Sequence, residues 1–395
     1  EAGEPEIELS GRIQTDLMYR IETQSVGNWV KEAALPAGIS RNENLFNLRL
    51  KSRAGQARGV ADLDFVLLGL AEPQGYGELD SLAQLSQRDV TDRSRLEVHS
   101  LYLEQRDVGA QGLDLRVGQQ LVQWGVGDQF NPTNNLNSDD LEHPLRFGDQ
   151  LGNVMARADY SPRGNLTLSG VLVPIFRPAL LPPSGELALL NLAQVPFQEE
   201  ALRWRLHAER AVAEQVLGYP TVVGQVDPLL PDSSLENMQF AVQIGGSIGM
   251  QDIALSYYNG RSDFPLPIQN QTQLINEERC SADNCECIDG LLETDVTLAY
   301  PEMQVLGLNA AGEVNLLGWL HSSILPFGYR AEVAAIQPER VEMFILNEEM
   351  DFGIMVQEEG EYDYGLGDGI RPTVLDDEWF MKWVLGLDYS FGKHV

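Results

Sequence analysis

The stretch Ile7–Glu22, IELSGRIQTDLMYRIE, decides the fold. Its odd positions read Ile7, Leu9, Gly11, Ile13, Thr15, Leu17, Tyr19 and Ile21. Its even positions read Glu8, Ser10, Arg12, Gln14, Asp16, Met18, Arg20 and Glu22. Successive side chains of a strand point to opposite faces, so a period of two held this long predicts a strand with one apolar and one charged face. It is longer than the usual globular strand and longer than the roughly 9–11 residues that cross a bilayer.

The pattern recurs along the chain. Phe46, Leu48 and Leu50 alternate with Asn47, Arg49, Lys51 and Arg53, and Ala61, Leu63, Phe65 and Leu67 with Asp62 and Asp64. Leu113, Leu115 and Val117 alternate with Asp114 and Arg116, and Val154, Ala156, Ala158 and Tyr160 with Arg157 and Asp159. Met238, Phe240, Val242 and Ile244 flank Gln239 and Gln243. Near the end, Trp379, Met381, Trp383, Leu385, Leu387, Tyr389 and Phe391 face away from Lys382, Asp388 and Ser390, with aromatics at both strand ends as in an interfacial girdle.

Short turns are expected near 55–59, 107–112, 161–165, 246–251 and Gly312–Glu313, and long connections at about 23–42, 71–93, 124–152, 174–236, 261–293 and 326–378. Strict alternation of short and long predicts a transmembrane antiparallel up-and-down β-barrel, with tight periplasmic turns and long external loops. Closure would leave no unpaired backbone edge in lipid. About twelve strands can be counted, in one barrel domain over residues 1–395. The alternative, a secreted β-sandwich or solenoid, gives no reason to gather every long loop at one end.

Composition agrees. Among 395 residues, 27 Lys and Arg stand against 59 Asp and Glu, a net charge of −32. Phosphate binding needs a basic footprint, so nucleic acid is excluded as a partner. A hydrophobic content of 43% with 37 Gly excludes wholesale disorder. No apolar run of about 18 residues offers a helical span, which leaves strands free to cross. The opening Glu-Ala-Gly-Glu-Pro-Glu reads as a mature terminus left by cleavage. Cys280, Cys285 and Cys287 lie together, so a loop disulfide from Cys280 to Cys285 or Cys287 is expected, with one cysteine over and an oxidising compartment implied.

The segment Arg116–Asp140, RVGQQLVQWGVGDQFNPTNNLNSDD, has the form R-x-G-x-Q-x-x-x-W-G followed by a loop rich in Asp, Asn and Pro. With Met155–Tyr160 (MARADY) and Lys382–Gly392 (KWVLGLDYSFG), it resembles Gram-negative outer-membrane porin-like β-barrels of a poorly characterised branch. The resemblance implies long outer loops and a transport role, and it carries no catalytic residues over. In similar proteins the KWVLGLDYSFG-type strand is followed by a further hairpin and an aromatic end. The expectation here is therefore a fragment lacking two to four strands, of a barrel with 14–16.

Arg12, Arg20, Arg49, Lys51, Arg53, Arg116 and Arg157 fall on the polar faces, where a basic ladder would guide anions through a pore. The alternative is pairing with Asp16, Asp62, Asp64, Asp114 and Asp159 inside a filled lumen. Asp128, Asp139 and Asp140 in the 124–152 loop, and Asp283 and Asp289 beside the cysteines, are the carboxylates available to calcium, although Asp and Asn also make turns. No other cofactor is expected. Residues 198–217, within the 174–236 connection, carry Leu202, Leu206, Ala213 and Val216 on one helical stripe and predict an amphipathic helix that narrows or caps the pore. Acidic runs at 348–351, 358–363 and 376–378 are solvated faces or bridges through divalent ions to lipid phosphates.

His99, His143, His207, His321 and His394 are scattered, without a G-x-S-x-G or H-E-x-x-H motif, so catalysis is not expected. The reading is an outer-membrane channel for small or hydrophobic solutes. Its partners would be the lipid bilayer and lipopolysaccharide, with a homo-oligomer or a protein in the lumen or at the loops as further options. The alternative is a barrel sheath or scaffold for an outer-membrane electron-transfer cytochrome.

Overall fold

The computed structural model describes residues 5–22, 24–26, 33–35, 37–68, 94–127, 130–142, 148–163, 165–181, 221–275, 279–280, 287–288, 291–314, 327–347 and 371–389. Twelve strands form one sheet: β1 (Glu6–Arg20), β2 (Gly38–Ala54), β3 (Ala57–Leu68), β4 (Ser94–Gln105), β5 (Leu113–Gln120), β6 (Asn153–Arg163), β7 (Leu166–Val173), β8 (Gln239–Ile248), β9 (Gln251–Arg261), β10 (Glu302–Val314), β11 (Phe327–Pro338) and β12 (Phe380–Asp388). Every strand pairs antiparallel with its neighbours in chain order, the up-and-down topology that the alternation predicts. Among the described residues the two edges, β1 and β12, do not pair with each other.

Burial is the reverse of that in a water-soluble protein. Leu9, Leu103 and Trp383 are 67%, 73% and 70% exposed, whereas the carboxylates Asp64 and Glu332 are 0% exposed. Exposed apolar side chains cover the outer face of every one of the twelve strands, and the polar side chains turn inward. Such an arrangement is stable where the outer medium is hydrocarbon and the sheet curls around a polar interior. This is the sheet of a transmembrane β-barrel.

Two boundaries differ from the sequence reading. The turn expected at Gly312–Glu313 lies inside β10, where Gly312 pairs with both Gln251 and Tyr329. The eleventh strand is Phe327–Pro338, inside what reads as the 326–378 connection, and its exposed Val333 sits between inward Glu332 and Ala334. Pro301 and Tyr300 separate β10 from Leu291–Ala299, which belongs to a second sheet.

That second sheet is built wholly from long connections. Thr221–Leu229 runs parallel to Leu291–Ala299, which pairs antiparallel with Leu266–Ile275, which runs parallel to Phe344–Asn347. Val341, Met343, Ile345 and Val374 form a small core against Leu266 and Ile268 beside it. The loop side of the sheet therefore carries an ordered cap.

Candidate functional site: the constricted lumen

The long connection after β5 turns inward. Val122, Trp124 and Leu136 pack against Met155, Val171, Val173, Ala241, Tyr258, Val305, Ala334 and Ile336, which face the interior from β6 to β11. Asparagines hold the segment in shape by supplying the partners a sheet would otherwise provide. The Val122 N–H donates to Asn137 Oδ1 at 3.1 Å while Asn137 Nδ2 donates to the Val122 carbonyl at 2.6 Å. The Trp124 N–H donates to Asn134 Oδ1 at 3.3 Å, and Asn134 Nδ2 donates to Gln150 Oε1 at 2.7 Å.

Glu332, on the inner face of β11, pins this segment across the lumen. Its Oε2 accepts the N–H groups of Val126 at 2.8 Å and Gly127 at 3.1 Å. Its Oε1 accepts the N–H and the hydroxyl of Thr133, both at 2.8 Å. A buried carboxylate accepting four donors is a strong, directional anchor. Gly125 makes the approach possible: its φ is +107°, and a Cβ there would stand 2.7 Å from Glu332 Oε2. On the neighbouring strand of the same wall, a Cβ on Gly307 of β10 would come within 2.6 Å of Thr133 Cγ2 and would collide with Ser256 Oγ.

With the β6–β11 wall covered, a cavity among the described residues lies along β1–β4. It measures about 440 Å³ and is lined by Ser10, Arg12, Asn47, Arg49, Asp62, His99 and Ser100 on the wall, and by Leu121, Gln150 and Gly152 on the loop side. The carboxylates stand behind the donors. Asp62 accepts from Arg49 Nε at 2.7 Å and from Asn47 Nδ2 at 2.7 Å. Asp64 accepts from Asn47 as well and lies 2.7 Å from His99 Nε2. The guanidinium of Arg49 and the ring of His99 remain about half exposed, at 49% and 44% of their side chains.

The expected polar-face residues thus divide. Arg12, Arg49 and Asp62 line the cavity, with Asp64 behind it. Lys51 and Arg53 sit nearer the short turns, in a second cavity of about 300 Å³ with Glu6, Glu8, Arg58 and Arg106, and Lys51 pairs with Glu8 at 3.5 Å. Asp16 accepts from Gln14 at 2.9 Å, farther out on β1, and Arg20 ends that strand. Arg157 pairs with Asp159 at 2.8 Å. Arg116 pairs with Glu104 at 3.0 Å rather than with Asp114, and stacks over the Tyr102 ring at 4.7 Å. Glu104 also takes Arg106 at 2.9 Å. Of the two arrangements the sequence offers, a basic ladder and charge pairs, Arg49, Lys51, Arg116 and Arg157 take the second.

Asp139 and Asp140 serve the outer rim. Asp139 Oδ1 accepts from Gln150 at 3.1 Å, and Asp140 Oδ1 accepts the Glu142 N–H at 3.1 Å. The Asp139 N–H donates to Asp263 Oδ2 at 2.8 Å, and the Asp263 carbonyl accepts the Ala179 N–H at 3.0 Å, so three connections meet there. Burial pushes the Asp263 carboxyl up to about 6, with the charge of Asp139 adding to the shift. Among the described residues no three His, Cys, Asp or Glu side chains stand together as metal ligands. Asp128, Asp283, Asp289, Cys285 and the 198–217 helix lie outside the described residues. Cys280 and Cys287 fall directly opposite each other on a short antiparallel pair, the register that one of the two expected disulfides needs.

Sequence reasoning missed Glu332, Thr133, Trp124 and the inward course of the loop. The signal was present in Trp124-Gly125-Val126-Gly127 and Pro132-Thr133-Asn134-Asn135, two small-residue and turn-forming runs beside a tryptophan.

No family model matches the chain, and no curated protein matches it. Among solved structures it is similar to a BenF-like porin from Pseudomonas fluorescens Pf-5, at 12% identity over 85% of this chain and 64% of that one, with a TM-score of 0.31. It is also similar to the FrpB iron transporter from Neisseria meningitidis (F3-3 variant), at 10% identity over 77% of this chain and 36% of that one, with a TM-score of 0.25. The chain thus spans less than two thirds of the length of either protein.

Proposed function

We propose that this transmembrane sheet forms a porin-like channel of the bacterial outer membrane, in which small solutes pass along the β1–β4 wall. The observation that carries this reading is the inward loop, pinned to Glu332 on one side and leaving a polar cavity on the other. A constriction built from an inward loop narrows the passage without closing it, and the paired charges beside it set up a transverse field for solutes to cross. Solutes of about the cavity's size, with polar groups able to meet Arg12, Arg49, Ser10 and Ser100 and an apolar part to face Leu121, fit the lining. The interior occupied by Val122, Trp124 and Leu136 favours a solute path over a sheath around a folded protein.

The test is single-channel recording in planar bilayers with protein purified in detergent. Stable, discrete openings with a pore narrower than the sheet's own width support the reading. A folded protein that stays silent at every voltage would overturn it.

A further inference from the structure

Glu332 holds the far turn of the inward loop, and the root of the loop is held separately. Past Leu136 the chain runs into Ser138, Asp139 and Asp140 at the outer rim. Ser138 Oγ donates to the Arg177 carbonyl at 2.6 Å, and the Leu180 N–H donates to the Asp139 carbonyl at 3.0 Å. The Leu141 N–H returns to the Leu180 carbonyl at 2.9 Å, so the root lies along the connection that follows β7. One residue of the connection after β9 joins both. The Asp263 side chain accepts the Asp139 N–H through Oδ2 at 2.8 Å, and its backbone carbonyl accepts the Ala179 N–H at 3.0 Å. Its neighbour Ser262 donates its N–H to the Pro301 carbonyl at 2.9 Å, which anchors Asp263 just ahead of β10.

The Asp263 carboxyl is buried in the junction it makes. Asp139 brings a like charge from the root of the loop, and Lys382 of β12 brings an opposite one. The Tyr258 and Tyr300 phenols lie within reach of its charge. Arg261, two residues earlier, is engaged by Glu302 at 2.6 Å, Asn237 at 2.9 Å and the Tyr300 carbonyl at 3.0 Å. Arg177 donates to the Gly152 carbonyl at 2.9 Å, and Asp140 accepts the Glu142 N–H at 3.1 Å. Desolvation together with Asp139 outweighs Lys382, so the charged form of Asp263 is the disfavoured one while the junction is closed. Opening returns the carboxyl to water and to its ordinary value of 3.8 from about 6. A group raised in the closed form stabilises that form fully below its ordinary value, and the contribution is lost as pH rises through the raised one.

We propose that Asp263 is a positioning residue of the constriction: it latches the root of the inward loop to the two neighbouring connections, and the latch tightens on acidification. The proposal rests on the channel reading only for its consequence, a steadier constriction in acid. Hydrogen exchange on the full chain in detergent tests the latch without any current. After correction for the intrinsic pH dependence of exchange, the opening equilibrium of the Asp139, Ala179 and Leu180 amides should be about tenfold smaller at pH 5 than at pH 7.5.

Asp263→Asn keeps an acceptor oxygen and removes the charge, so those amides should be protected at both pH values with the tenfold difference gone. Asp263→Ala removes the acceptor, and the same amides should open more at both. In bilayers the wild type should leave its main conductance level less often at pH 5 than at pH 7.5, a difference that Asp263→Asn abolishes. Wild-type opening that does not change with pH, or a tenfold change that persists in the Asp263→Asn protein, overturns the proposal. A silent bilayer combined with the tenfold change would overturn the channel reading and leave the latch standing.

Discussion

Replacing Glu332 by alanine tests the central claim, that one carboxylate holds the constriction in place. The substitution removes the acceptor for the N–H groups of Val126, Gly127 and Thr133 and for the Thr133 hydroxyl. Removing one partner of a buried charged network costs about 3–5 kcal/mol, because the donors left behind stay desolvated. Against this stands the apolar seat. Val122, Trp124 and Leu136 are 1%, 5% and 2% exposed, and burying three such side chains contributes about 5–9 kcal/mol. The seat exceeds the loss, so the loop should stay docked most of the time while its undocked population grows roughly a hundred- to a few-thousand-fold. The expected record is the wild-type conductance level interrupted by brief, larger openings. Hydrogen exchange at Val126, Gly127 and Thr133 should accelerate in step. Glu332→Gln, which keeps one acceptor oxygen but turns an NH2 toward the donors, should fall between. Unchanged current noise and unchanged exchange at those three amides in the alanine protein would refute the reasoning.

Three further outcomes follow from the same geometry. Gly307→Val should push Thr133 off its seat and reproduce the larger openings, since even a Cβ there meets Thr133 Cγ2 at 2.6 Å; a conductance trace like the wild type would contradict this. Asp263→Asn should stabilise the rim where three connections meet by about 3 kcal/mol at pH 8 and by only about 0.5 kcal/mol at pH 4. The folded carboxyl is raised to about 6 from 3.8, so the charged form is the one penalised, and the penalty disappears as pH falls through that window. Thermal unfolding at the two pH values measures it, and an equal shift at both would count against the assignment. Peptide mapping under non-reducing conditions should recover a Cys280–Cys287 cross-link with Cys285 free, as the strand register requires; a Cys280–Cys285 link would show that the register does not govern pairing.

The alternation of Ile7–Glu22 and its repeats made the sheet, its strand count and its two faces legible, because period two is a local property of each segment. The errors came where local signals were ambiguous. Gly312-Glu313 has turn composition but lies in a ladder whose partners, Gln251 and Tyr329, are distant in sequence. Moving that boundary displaced the eleventh strand and hid Glu332 in an expected loop. The inward loop was invisible for a related reason. Its Asn and Asp side chains have the composition of any solvated turn, and only the facing wall of Met155, Tyr258, Val305 and Ala334 shows that the segment is buried. The alternation assigns the basic residues to the polar face, but the partners of Arg49, Lys51 and Arg116 sit on neighbouring strands whose register no single segment encodes. Arg116, for instance, meets Glu104 of the neighbouring strand.

The cap has a consequence for the order of assembly. Its parallel pairs set Val226 opposite Val296 and Gln269 opposite Phe344, joining connections that emerge between different hairpins. Parallel pairing of this kind has no short turn to nucleate it, and its closure entropy is met only after the intervening strands are in place. The hairpins of the main sheet, by contrast, zip locally. The sheet should therefore enter the bilayer with its outer mouth unbuilt, and the narrow entrance is the last part of the molecule to mature. A newly inserted protein would then pass through a leaky interval that lasts as long as the cap takes to knit.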